Sequence, residues 1–128
     1  MIDVTCAIII KENRILVTQR SEKMSLPLKW EFPGGKIEKN ETAENCILRE
    51  IKEELNLEIE IIAKLESKQF NYPSFSINLI PFISKYLSGD LNLAEHTDFK
   101  WLTKEELISL DWASADIPVL QEFLITKP

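Results

Sequence analysis

The stretch Glu31–Leu57 reads EFPGGKIEKNETAENCILREIKEELNL and decides the fold. Trp30 to Phe32 is a short extended piece. Pro33-Gly34-Gly35 predicts a tight turn, because glycine accepts unusual φ and lets other groups approach its backbone closely. Lys36 and Ile37 lead into a second turn, Glu38-Lys39-Asn40. Thr42 carries the side-chain oxygen that a helix N-cap needs, and helical periodicity runs from there to about Leu55. On that helix Ile47, Leu48, Ile51 and Leu55 form an apolar stripe able to dock on a sheet. Glu50, Glu53 and Glu54 project beside it, within a sector of roughly 100° at about 100° per residue.

Carboxylates at i,i+3 and i,i+4 repel by a few tenths of a kcal/mol per pair. Arg49 lies i,i+4 to Glu53 and offsets part of this. The remainder is a cluster that a hard divalent cation would neutralise, and magnesium prefers such oxygen ligands. A glutamate-rich helix alone is an ordinary solvated surface. The spacing adds the specificity: Gly35 is followed after five residues by Glu41, and after seven more by Arg49-Glu50, Ile51, Lys52 and Glu53-Glu54.

The pattern G-x5-E-x7-R-E-(apolar)-x-E-E resembles the Nudix hydrolase box, and with EFPGGKIE ahead of it the stretch is similar to the MutT-type branch. One position departs: the family's glycine after E-E-x is Asn56 here. It closes the helix in the left-handed region, where Asn is the next most tolerant residue.

The resemblance implies an α/β fold, the Nudix α/β/α sandwich with a mixed central sheet, in a single domain over residues 1–128. It implies Mg²⁺-dependent (or Mn²⁺-dependent) hydrolysis of a nucleoside triphosphate to monophosphate and pyrophosphate, with 8-oxo-dGTP as one substrate; CTP, dCTP or another pyrimidine triphosphate is the alternative, and ADP-ribose-type substrates stay open. By position, the Gly34 carbonyl, Glu50, Glu53 and Glu54 are metal ligands, and any of these glutamates can double as base. Arg49 orients them, and Glu41 supports the turn. Glu95, six residues before Trp101, joins the metal site or acts as the base. Arg20, ending the second strand, faces the phosphates, since its fork matches phosphate oxygens. Glu31, Phe32 and Lys36 line the substrate. Asp116, two residues before Pro118, contacts the base, caps the last helix, or does both. A non-catalytic Nudix-fold nucleotide-binding module is the competing class, and the intact glutamates argue for the enzyme.

The rest of the chain agrees. Val4 to Ile10 and Ile15 to Thr18 read as a β-hairpin around Lys11-Glu12-Asn13-Arg14. Ser21 to Lys29 is a loop. Leu57 to Leu65 is a strand with one irregularity, and Phe70, Tyr72 and Phe75 cluster around Pro73, where one of them can supply a stacking face for the base, core packing being the commoner fate of such aromatics. Ile77 to Leu87 is a strand that Pro81 marks as bulged or at an edge. After the turn at Ser88-Gly89-Asp90, Phe99–Leu102 is a short strand. Thr103 caps a short helix to Leu107, and Asp116 opens a last helix with Val119, Leu120, Phe123 and Leu124 inward.

A net charge of -6 argues against nucleic-acid polymers and acidic membranes as partners, since both require a basic surface. Cys6 and Cys46 read as small buried hydrophobes rather than a disulfide or metal pair. His96 is the only histidine and cannot build a zinc site alone. With no apolar run of spanning length and no signal-type N-terminus, the expectation is a cytoplasmic monomer or homodimer.

Overall fold

The computed structural model describes residues 1–126, so the last two residues of the expected 1–128 domain lie outside the described residues. Its strands are β1 (Ile2–Lys11), β2 (Arg14–Gln19), β3 (Trp30–Glu31), β4 (Gly34–Lys36), β5 (Glu58–Lys64), β6 (Lys68–Tyr72), β7 (Phe75–Ser88) and β8 (Asp98–Leu102). The helices are α1 (Ala43–Leu55), α2 (Lys104–Leu107) and α3 (Ile117–Ile125), the last preceded by a 3-10 turn at Ser114–Asp116.

All eight strands join one mixed sheet. β1 and β7 run parallel, Ile2 opposite Ile77 through Ile10 opposite Lys85, and the other strand pairs are antiparallel. The far edge of β1 is shared. β4 takes Val4 to Cys6, and β2 takes only Ile10 and Lys11, through the expected hairpin whose Glu12 and Asn13 have φ of 50° and 64°. β2 then diverges to pair with β8 and β3. The segment Glu31-Phe32-Pro33 crosses this fork, from Glu31 opposite Thr18 to Gly34 opposite Cys6, with Ala7 N–H donating to Pro33 O at 2.8 Å.

Alternation along β1 builds two cores, one on each face. Ala7 and Ile9 pack with Leu16, Phe82 and the α1 residues Ile47, Ile51 and Leu55. Cys6 and Ile8 pack with Ile15, Val17, Leu107 and the α3 residues Val119, Leu120 and Phe123. Each fully buried aliphatic side chain of this kind contributes about 1.5–3 kcal/mol. Leu48 leaves the expected stripe: it is 39% exposed, and fully buried Cys46 occupies the inward position instead. The caps form as the sequence reads. Thr42 Oγ1 accepts from Asn45 N–H at 3.1 Å, and Asn56 ends α1 at φ 59°, ψ 37°, its N–H donating to Lys52 O. Thr103 and Glu106 form a capping box on α2.

Four expectations need correction. Pro81 does not mark an edge: β7 is interior, with β1 on one side and β5 and β6 on the other. Pro81 O accepts from Leu65 N–H at 3.0 Å, at the junction where the partner changes from β5 to β6. In an extended residue the N–H position lies on the same side as the C=O, so the missing donor faces that junction and not the continuous pairing with β1. The register shifts lie elsewhere, between Glu58 and Ile59 and between Ile61 and Ala63, two where one was expected. The aromatic cluster proves to be a further strand, β6, closed onto β7 at Tyr72 opposite Phe75. Gly34-Gly35 is likewise not a turn but strand β4, and neither glycine has positive φ. Among the described residues no helix is long and apolar enough to cross a membrane.

Candidate active site

The glycines of β4 are required by contact. A Cβ on Gly34 would run into the Thr5 carbonyl and the Cys6 Cα, and one on Gly35 would overlap the carboxylate of Glu50. β4 is thus a flat strip of backbone between β1 and the carboxylate edge of α1. Thr5 Oγ1 donates to Gly35 O at 3.1 Å, and the Cys46 thiol lies 3.3 Å from Lys36 O.

Arg49 organises the glutamates. Its Nε and Nη2 grip both oxygens of Glu41 at 2.6 and 2.9 Å, and its Nη1 reaches Glu50 at 2.9 Å and Glu53 at 3.1 Å. Glu41 also accepts from Glu38 N–H at 3.0 Å, closing the turn before α1. The guanidinium, with that N–H, holds the Glu41 carboxyl down at about 2. The same pairing raises Arg49 further.

A cleft of about 660 Å³ opens along β4. Glu50, Glu54 and Glu95 line it beside Gly34 and Gly35, as do Arg20, Glu31, Phe32, Lys36, His96, Tyr72, Phe75 and Asp116. Burial pushes the Glu50 carboxyl up against the pull of Arg49. Burial also raises Glu54, and the charges of Glu95 and Glu50 add to it. One Glu54 oxygen, Oε2, is buried and finds no hydrogen-bond partner among the described residues. Acceptor-only side chains that crowd one another and leave a buried oxygen unmatched suit a hard divalent cation.

The expected triplet is not gathered. Glu53 is outside the cleft lining, its side chain 61% exposed and tied to Arg49. It stands about 100° around the helix axis from Glu54, on the far side of Glu50. Among the described residues no three His, Cys, Asp or Glu side chains converge closely enough to form a metal cage.

The other candidates divide. Arg20 lines the cleft with its donors already engaged: Nε on Ser25 O at 2.6 Å, Nη2 on Ser25 Oγ at 3.0 Å and Nη1 on Glu31 Oε1 at 2.8 Å. Phe32 is 2% exposed and its ring packs on Trp112 with centroids 4.8 Å apart, so the side chain is chiefly core and its backbone borders the site. Lys36 has an exposed side chain at the rim. Asp116 does not cap α3. Its side chain makes no capping bond; Oδ2 accepts from Phe32 N–H at 2.8 Å, and the residue is 6% exposed. Burial, then the charge of Glu31, pushes this carboxyl well above the usual range.

Tyr72 and Phe75, two of the three aromatics from which a stacking face is expected, line the cleft, whereas His96 escaped the sequence reading. Tyr72 Oη accepts from Ala115 N–H at 3.0 Å, tying β6 to the turn that carries Asp116. His96 Nε2 lies 2.8 Å from Glu31 Oε2. Its adjacency to Glu95 was the available signal.

An α/β sandwich that sets acidic helix side chains against a glycine strip, in a cleft of nucleotide size, is the architecture of a metal-assisted hydrolase. The chain matches the NUDIX domain over residues 1–123, and it belongs to the Nudix family. It is 34% identical over 127 residues to the CTP pyrophosphohydrolase of Escherichia coli K12, covering 99% of this chain and 94% of the relative. To the 8-oxo-dGTP diphosphatase of the same organism it is 29% identical over 110 residues, covering 86% and 85%. The solution structure of the MutT protein from methicillin-resistant Staphylococcus aureus 252 is 42% identical and superposes with a TM-score of 0.78, covering 96% of this chain and 95% of that one. The protein is an enzyme, a hydrolase acting on phosphorus-containing anhydrides.

Proposed function

We propose that this enzyme is a Mg²⁺-dependent nucleoside triphosphate pyrophosphohydrolase, converting a triphosphate and water to a monophosphate and pyrophosphate, and acting in the cytoplasm. The observation that carries the reading is one continuous cleft lined by both a carboxylate group, Glu50, Glu54 and Glu95, and an aromatic and acid group, Tyr72, Phe75 and Asp116. The first suits a metal-bound phosphate chain and the second a base. Glu50, Glu54 and Glu95 would hold the ion once its charge draws their carboxylates together, with the Gly34 carbonyl and Glu53 as the further ligands expected from the spacing. Bound there, a divalent cation offsets phosphate charge and lowers the pKa of a water. Arg20 offers a fork to phosphate oxygens by exchanging its Ser25 and Glu31 contacts. The reaction is tested in ¹⁸O water. Attack on the β-phosphorus puts the label in pyrophosphate; label in the monophosphate, or release of orthophosphate, defeats the reading.

The base is read through Asp116. Burial favours its protonated form, and with Oδ2 taken by Phe32 the acid hydroxyl is a donor. This supports 8-oxo-dGTP as substrate. A second reading, CTP, is supported by the 34% identity to a CTP pyrophosphohydrolase across nearly the whole chain; it has Asp116 ionised and accepting from an exocyclic amine. The discriminating measurement is kcat/KM for CTP, dCTP, dGTP and 8-oxo-dGTP in wild type and Asp116→Asn. A base-reading Asp116 shifts the preference between substrates by about 10-fold or more, because a mismatched buried polar group is costly. A uniform loss across all four leaves Asp116 as a brace for Phe32 alone.

A further inference from the structure

His96 is a buried titratable side chain in the cleft to which the preceding reading gives no task. Its side chain is 4% exposed, and its Nε2 meets Glu31 Oε2 at 2.8 Å. The other oxygen of Glu31 is held by Arg20 Nη1, also at 2.8 Å. With Oε1 accepting from a guanidinium, Oε2 faces the ring as an acceptor, so the hydrogen in the contact belongs to Nε2. Nδ1 is buried and finds no hydrogen-bond partner among the described residues. The contact with Glu31 is therefore the side-chain hydrogen bond this imidazole makes.

The bland role, holding its own loop in place, is already filled by backbone. Asn92 N–H donates to Leu55 O at 3.0 Å, Ala94 N–H to Glu54 O at 3.1 Å and Thr97 N–H to Gln19 O at 2.9 Å. These bonds fix the loop to α1 and β2 whatever side chain stands at 96. Glu31 is differently placed. Its backbone is short strand β3, at the fork of the sheet, and its carboxylate is 16% exposed between two donors on different elements. One of those donors, Arg20, must turn toward substrate if it is to bind phosphate. The other is then all that keeps Glu31 in position.

We propose that His96 is a positioning residue for substrate binding: it holds the Glu31 carboxylate in place while Arg20 exchanges its partners for the substrate phosphates. The proposal rests on the reading above that Glu31 and Arg20 meet the substrate. It assigns His96 no contact with the nucleotide and no proton transfer.

The test is a double-mutant cycle with steady-state kinetics on the best nucleotide of the panel. Losing a hydrogen bond to a charged group has an effect worth about 10-fold or more. His96→Leu is therefore expected to raise KM about 10-fold and to leave kcat within about 3-fold. His96→Gln, whose amide can still donate, should recover most of the loss. Glu31→Ala should raise KM at least as much, and adding His96→Leu to it should change nothing further. Should the leucine variant fail to fold, His96→Asn, with an amide too short to reach Glu31, replaces it in the cycle. Additive losses in the double variant, or a loss confined to kcat, overturn the role of His96 while leaving the function intact. An unchanged KM in Glu31→Ala alone overturns the substrate role of Glu31 first, and this inference with it.

Discussion

Glu54→Gln is expected to lower kcat by at least about 100-fold, the scale for removing a key electrostatic group, while the fold survives. The amide keeps the shape of the side chain and removes its charge. Glu54 has a buried oxygen without a partner and sits among Glu50 and Glu95, so its charge is unfavourable to the empty protein. Its carboxyl is raised on folding, which means that the ionised form costs stability above the ordinary carboxylate range. At neutral pH the apoprotein of Glu54→Gln should therefore melt no lower than wild type, and activity and Tm move in opposite directions. Glu53→Gln, on the spacing argument, should lose activity on the same scale; a near-wild-type rate there would leave Glu53 serving Arg49 only. Wild-type turnover in Glu54→Gln, or full activity in excess EDTA, would sink the metal reading.

The glycine pair gives the second large effect, and the two positions should fail differently. In Gly34→Ala the new methyl meets the backbone of Thr5 and Cys6, which belongs to the central strand and cannot step aside. The β1–β4 pairing must open, and a loss of about 3 kcal/mol or more is expected, at the upper end for single substitutions. In Gly35→Ala the obstacle is the end of the Glu50 side chain, which can rotate away. That variant should fold with a modest fall in Tm but lose activity by about 100-fold, since the displaced carboxylate no longer borders the cleft. Urea unfolding and kcat measured on both proteins separate the outcomes. Equal destabilisation of the two, or an active Gly35→Ala, would refute the division.

Those glycines also mark where the sequence was legible and where it was not. Locally, Pro-Gly-Gly reads as a turn. What makes glycine necessary is contact with Thr5 and Glu50, 30 residues before and 15 residues after Gly35, which no local pattern contains. Features set by neighbours along the chain came through: the hairpin at Glu12-Asn13, the Thr42 cap, the left-handed Asn56 and the docking of α1. Features set by distant partners did not. Pro81 is interior because β5 hands over to β6 beside it. Asp116 forgoes capping because Phe32 N–H, 84 residues away, offers a buried partner. His96 stayed invisible for the same reason, since Glu31 is 65 residues from it.

The parallel pairing of β1 with β7 has a consequence for synthesis of the chain. β1 emerges first, yet its one full-length neighbour, Ile77 to Lys85, is encoded about 75 residues later. At about 5–20 residues per second, Ile2 to Ile10 waits roughly 4–15 s for that partner. During this interval Val4 to Ile10, apolar and largely β-branched, keeps the edge that β7 will cover unpaired, an edge of the kind that recruits other chains. The hairpin to β2 at Ile10 and Lys11, and later β4 at Val4 to Cys6, shield the opposite edge alone. This order of synthesis leaves the chain exposed to aggregation where nascent chains crowd.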